Sequence, residues 1–160
     1  TKVSATELCT VIGDGASASV ATIEHLMSAC AGLGLDNVLV EIDGPEMPIM
    51  DGSAAEFVAA IEATGLVGLS AARRYLRVLQ PVRVEHGRAF AELLPAKSGF
   101  RLDVEIDFDT SVIGRQRKVF DLEAAAYSKE ISRARTFGFM RDVEQLWKAG
   151  FALGASLDNT

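Results

Sequence analysis

Two histidines occur in this 160-residue chain, and each follows a glutamate: Glu24-His25 in "ATIEHLMSACAG" and Glu85-His86 in "RVEHGRAF". The letters match, but the settings differ. Glu24 and His25 open an apolar stretch with helical spacing, where unpaired backbone N–H groups and the helix dipole favour a carboxylate. Neighbouring residues on a helix diverge by about 100°, so the two side chains serve different surroundings. One chemistry for such a pair is an imidazole bound to a metal ion beside a carboxylate that takes a proton from water. The plainer alternative is a dipole-favoured acid next to a partly exposed histidine. His86 precedes Gly87 in a polar turn and reads as a solvated loop residue.

A catalytic zinc usually takes three protein ligands and keeps a fourth position open. The donors here are His25, the badly placed His86, scattered carboxylates, and Cys9 and Cys30 without a paired spacing; no HxxxD, HExxH or CxxC is present. A zinc ion on His25 would therefore need ligands from outside these residues. Two other stretches carry functional groups. In "SRARTFGFMRDVEQL", Arg133, Arg135 and Arg141 surround Thr136-Phe137 at a bend set by Gly138. A hydroxyl among arginines suits an oxyanion or a phosphate. Beyond it Met140, Val143, Leu146 and Trp147 could line an apolar groove, although residues at this helical spacing more often pack as ordinary core. In "GPEMPIMDGSAAEF", Pro45, Pro48 and Asp51-Gly52 impose a rigid turn, from which no catalysis follows.

Periodicity and turn chemistry give the elements that must position these groups. The spacing predicts a strand over 6–12, a turn over 13–17, and a helix capped by Thr22 and ended by Gly32 and Gly34. Alternating Val38, Val40 and Ile42 predict a strand over 37–43. Ser53 and Glu56 read as a capping box for a helix ending near Gly65. "GLVGLSAA" marks a boundary between lobes. After it, "RYLRVLQPVRVEHG" and "RAFAELLPA" pair as a hairpin or meander, with His86-Gly87 in the turn. Residues 100–108 alternate Phe100, Leu102, Val104, Ile106 and Phe108 and form the clearest strand, and "RKVFDL" forms a shorter one. "LEAAAYSKEISRA" predicts a helix, and "VEQLWKA" another, stopped by Gly150. The fold class is α+β, in two lobes.

Hydrophobic content of 49% with 24% charged residues is that of a folded chain. No apolar run approaches the roughly 20 residues that span a bilayer, and no signal-peptide pattern opens the sequence. Two cysteines are too few for a disulfide framework, which favours a reducing, cytoplasmic setting. The net charge of −6 argues against nonspecific nucleic-acid binding, yet it is uneven. Residues 1–72 hold one basic and ten acidic side chains, whereas 73–160 hold fifteen basic and twelve acidic. The second half is the better candidate for an anionic ligand. A start at Thr1 and an end at "GASLDNT" read as a segment of a longer protein.

Taken together, "TIEHLMSACAGLGLDNVLVEIDGPEMPIMDGSAAEFV" and "KEISRARTFGFMRDVEQL" resemble the zinc-dependent UDP-3-O-acyl-N-acetylglucosamine deacetylases of lipid A biosynthesis. These blocks are long and highly specific, and a looser likeness covers the whole chain. The resemblance implies a cytoplasmic, monomeric enzyme that removes the N-acetyl group of an acylated UDP-sugar with the help of Zn2+. It implies two similar α+β lobes, each a sheet packed with helices, both incomplete here. Residues 1–68 would be the remainder of the first lobe, and 69–160 the beginning of the second.

By the same resemblance His25 matches a zinc ligand, and Glu24 the general base for the attacking water. Thr136 matches the residue that stabilises the tetrahedral oxyanion, and Phe137 a neighbouring substrate contact. Glu7, Leu8 and Cys9 fall in a segment bordering the site. Met140, Val143, Leu146, Ala152, Ala155, Ser156 and Leu157 fall in the insert that forms the acyl-chain passage. The family's HxxxD pair, the lysine after its first histidine, and the Ser-Gly-His stretch that supplies a general acid are all missing. The 160 residues alone are accordingly expected to be inactive. A rival reading from another class is a non-catalytic module that binds the acyl chain or the nucleotide sugar.

Overall fold

The computed structural model describes residues 2–14, 18–152 and 154–160 of the chain. The fold is α+β, with helices and short antiparallel strand pairs. By contact it forms two units: Thr1–Val67 together with Glu123–Thr160, and Gly68–Leu122.

The first unit opens with strands β1 (Val3–Ala5), β2 (Val11–Gly13) and β3 (Ser19–Val20), paired antiparallel in that order. Of the strand expected over 6–12, only Val11 and Ile12 are strand, in β2; residues 7–9 form a bend that follows β1. Leu8, at φ 63°, takes the left-handed region and turns the chain. Residues 15–17 of the expected turn lie outside the described residues.

Helix α1 (Glu24–Leu33) follows, and Thr22 does not cap it. Its N-cap is Ile23, without a side-chain bond. The Thr22 hydroxyl donates instead to Glu46 Oε1 at 2.5 Å. Thr22 itself sits at φ 57°, a left-handed conformation that costs a β-branched residue about 1–3 kcal/mol. The strain is held by an isolated parallel bridge between Ala21 and Glu46. In it Ala21 N–H donates to Pro45 O at 2.9 Å, and Met47 N–H to Ala21 O at 3.0 Å. The helix ends at Gly34, φ 72°, where Gly34 N–H bonds Ala31 O and Leu35 N–H bonds Cys30 O, a Schellman pair. Gly32, expected to help stop the helix, lies inside it and packs on Tyr127. An added Cβ there would overlap the tyrosine ring.

The strand expected over 37–43 is irregular and pairs with no strand among the described residues. Val38 and Leu39 are exposed. Alternation marks an apolar face, but a strand also needs a ladder partner for its N–H and C=O groups.

Helix α2 (Ala55–Thr64) ends before Gly65 as expected, but its cap differs. Asp51 stands in for Glu56: the Ser53 amide and hydroxyl both donate to Asp51 Oδ1, at 3.0 and 2.7 Å. Ser53 Oγ in turn accepts Ala55 N–H at 3.1 Å.

After the second unit the chain forms α3 (Ala124–Ala126), which runs into a π-helical turn, Tyr127–Ile131. One regular helix was expected here. The turn places Tyr127 in the core and Ser132 where its carbonyl accepts Ala54 N–H at 2.9 Å. Helix α4 (Met140–Lys148) stops just before Gly150, as its sequence predicts. The unit's core is Ala29, Cys30 and Leu33 of α1 with Met47, Ala54, Val58 and Tyr127. The Tyr127 phenol and Ser28 Oγ share a hydrogen bond of 2.6 Å.

The second unit is two hairpins, β4 (Val82–His86) with β5 (Ala89–Leu93), and β6 (Arg101–Asp107) with β7 (Arg115–Asp121). His86 is not in the turn. It closes β4 opposite Ala89, and the turn is Gly87-Arg88, with Gly87 at φ 59°. One face of β6–β7 is ionic. Arg101 clasps Asp121 through two 2.9 Å bonds, Arg117 clasps Asp103, and Arg115 reaches Glu105 at 2.8 Å. Among the described residues no helix is long and apolar enough to cross a membrane.

Candidate functional site

Glu24 and His25 occupy the first turn of α1. The Glu24 carboxylate is exposed and accepts the backbone N–H of Thr10, which ties the 7–9 bend to the start of the helix. Glu7, Leu8 and half-buried Cys9 belong to the segment that this bond joins to the helix. The divergence of neighbouring helical side chains is visible here: one group faces solvent, and the other is half-buried. His25 Nδ1 is fully buried and has no hydrogen-bond partner among the described residues. A buried polar atom without a partner costs about 1–3 kcal/mol, so this nitrogen is notable.

Thr136 lies on the exposed segment before α4. Its amide donates to the carbonyl of Gly52 at 2.8 Å, which links it to the Asp51-Gly52 turn. Phe137 is half-exposed and meets Phe139 edge-on, with centroids 6.1 Å apart. Two of the flanking arginines are engaged with the chain itself. Arg135 donates to the Asp158 carbonyl at 2.6 Å, while Arg141 lies 3.4 Å from Asp142 and over the Phe139 ring. Asp51 is held below the usual carboxylate range, first by the Ser53 hydroxyl and further by the Arg135 charge.

Next to Thr136, α4 and the 155–160 turn enclose an apolar cleft of about 190 Å³. Met140, Val143, Ala155, Ser156 and Leu157 line it, together with Gly138, Trp147 and Thr160. Leu146 and Ala152 do not line it. Leu146 accepts Phe151 N–H at 2.9 Å, and Ala152, at φ 51°, accepts the Trp147 indole N–H at 2.9 Å. Both residues thus shape the end of α4, behind the lining. Thr10 and Thr160 carry no signal in the sequence, whereas Gly52 and Gly138 stand out there only as turn residues. Gly52 had a signal in its Asp-Gly turn, but a backbone amide such as that of Thr10 has none.

The donor set can be tested against a zinc ion. The orphaned His25 imidazole suits a ligand role in a position that the exposed Glu24 carboxylate flanks. Among the described residues, no group of three His, Cys, Asp or Glu side chains converges. These residues fit one bond to a metal and a base beside it, and not a full coordination shell.

The whole chain, residues 1–160, matches the LpxC family, described as UDP-3-O-acyl N-acetylglycosamine deacetylase. Curated proteins named UDP-3-O-acyl-N-acetylglucosamine deacetylase from Brucella ovis and Brucella canis are each 51% identical to it over 159 residues. The protein of that name from Brucella suis matches equally well. The alignment covers 99% of this chain and 55% of each relative, so the chain spans little more than half their length.

Proposed function

This chain belongs to the UDP-3-O-acyl N-acetylglycosamine deacetylase family, and from that premise we propose that the protein carrying it removes the N-acetyl group of an acylated UDP-N-acetylglucosamine during lipid A biosynthesis. The observation that carries the reading at the level of residues is the pairing of an exposed, anchored Glu24 with a half-buried His25 whose Nδ1 has no partner among the described residues. Two free cysteines, Cys9 and Cys30, suit a reducing, cytoplasmic place of work.

Amide hydrolysis needs a base to activate water, a group to stabilise the developing oxyanion, and an acid to protonate the departing amine; these residues supply the first two, and the acid would come from outside them. Glu24 serves as the base. Its carboxylate is held at the helix start by the Thr10 amide, and that bond leaves lone pairs free to accept a proton from water. His25 would hold Zn2+, which when bound supplies Lewis acidity and a more acidic water. Thr136 stabilises the oxyanion through its hydroxyl, and its backbone N–H, donating to the Gly52 carbonyl, holds the residue in place. The apolar cleft of Met140, Val143, Trp147 and Leu157 takes the fatty acyl chain, burying methylenes at about 0.8 kcal/mol each.

The test is acetate release by the complete protein. Glu24→Gln keeps an oxygen for the Thr10 amide and removes the base, so kcat should fall by at least about 10²-fold with metal content unchanged. Wild-type turnover in that variant rejects Glu24 as the base.

A further inference from the structure

The Asp51-Gly52 turn contributes no side chain to the chemistry proposed above, yet two separate contacts converge on it. Thr136 N–H donates to Gly52 O at 2.8 Å. On its other side the Gly52 Cα abuts the Asn159 carbonyl so closely that an added Cβ would overlap the oxygen. Asn159 belongs to the turn that forms one wall of the cleft: its Oδ1 accepts Ser156 N–H at 2.8 Å, and its Nδ2 donates to Gly154 O at 2.9 Å.

We infer that Gly52 is a positioning residue for the proposed deacetylation, setting Thr136 and the 156–160 wall of the acyl cleft in one register. The inference rests on the role assigned to Thr136. The turn is built to hold that register. Met50 and Gly52 both take left-handed backbone, at φ 55° and 81°, and Asp51 fixes Ser53, two residues on, by accepting from both its amide and its hydroxyl. Arg135, one residue before Thr136, closes the loop by donating to Asp158 O at 2.6 Å. The Asp51 carboxyl feels the Arg135 charge, so the turn and the clamp are also electrostatically joined. At Gly52 only a residue without Cβ satisfies both the φ angle and the approach of Asn159. The consequence is functional: a misfit at Gly52 displaces the oxyanion group and the acyl wall together.

The experiment uses the complete protein, with backbone amide exchange and with turnover of UDP-3-O-acyl-N-acetylglucosamine bearing a long or a truncated acyl chain. In Gly52→Ala the Thr136 amide should exchange at least about tenfold faster, while the amides of α1 keep their protection. Its kcat should fall roughly 10- to 100-fold, and its preference for the long chain should narrow. Asp51→Ala, which keeps Gly52 and removes the acceptor of both Ser53 donors, should move all three readouts in the same direction by less. It decides the matter even if Gly52→Ala does not fold. Wild-type Thr136 protection in the folded variants overturns the inference, as does a lower kcat with chain-length preference intact. Full turnover in Thr136→Ala would instead overturn the functional reading, with amide exchange still deciding the link to Gly52.

Discussion

The two units solve the problem of staying folded in different ways. The first buries apolar side chains around Tyr127, closes small residues against that ring, and satisfies its polar groups within short loops. The second, Gly68–Leu122, has no buried residue at all. Its hairpins rely on backbone ladders and on arginine–carboxylate pairs across the strands, while Val82, Val84, Leu93 and Val104 stay half-exposed or more. Glu24, His25, Thr136 and the apolar cleft all lie in the unit that has the core. A group that must meet a substrate within a fraction of an ångström needs neighbours that cannot move, and exposed ion pairs do not supply them.

Removing the ring at the centre of the first unit should sharpen the contrast most. Tyr127→Ala empties the space against Gly32 and leaves Ser28 without its partner, a loss of about 3–5 kcal/mol. Chemical denaturation followed at Trp147, in the same unit, measures it, and a loss under about 1 kcal/mol would show that the core does not depend on this residue. The β6–β7 ladder should survive in that variant, read from its cross-strand proton contacts.

Acid and alkali should divide the units next. Burial pushes the Cys30 thiol and the Tyr127 phenol above their ordinary values. Above the ordinary thiol range the unfolded chain releases these protons before the folded one does, so the first unit weakens as pH rises through and beyond that range. Hydrogen bonds from Arg117 and Arg101 hold Asp103 and Asp121 below the usual carboxylate range. Their contribution is present above that range and is lost as pH falls through the lowered folded-state values, so β6–β7 weakens in acid. Residue-resolved amide exchange across pH should show the two trends in opposite directions; parallel trends would remove the distinction. The smallest effect belongs to single pairs. Arg117→Ala should leave global unfolding almost unmoved and be masked further by salt, because both partners are solvent-exposed.

Much of this was legible in the sequence where local rules decide. Residues 100–108 alternate strictly and became β6, and Gly34, Gly65 and Gly150 stop their helices through backbone freedom that only glycine has in full. The failures share a cause: each needed a distant partner. Thr22 looked like a cap until Glu46 took its hydroxyl, and Asp51 replaced Glu56 at the start of α2. Residues 37–43 have the letters of a strand without a ladder to join. The same limit holds at the candidate site. Side-chain chemistry singled out Glu24, His25 and Thr136, but the groups that fix two of them are the Thr10 amide and the Gly52 carbonyl, which every residue type carries in some form.

The first unit is assembled from two stretches of chain with the whole of the second between them, and the Ser28–Tyr127 contact joins residues 99 apart in sequence. Closing so long a loop carries an entropic cost before any core contact repays it, whereas each hairpin needs only its own turn. During synthesis the hairpins can therefore form early, while the part of α1 that meets Tyr127 waits uncovered until that residue has left the ribosome. Apolar surface left open in that interval is a site where aggregation can begin.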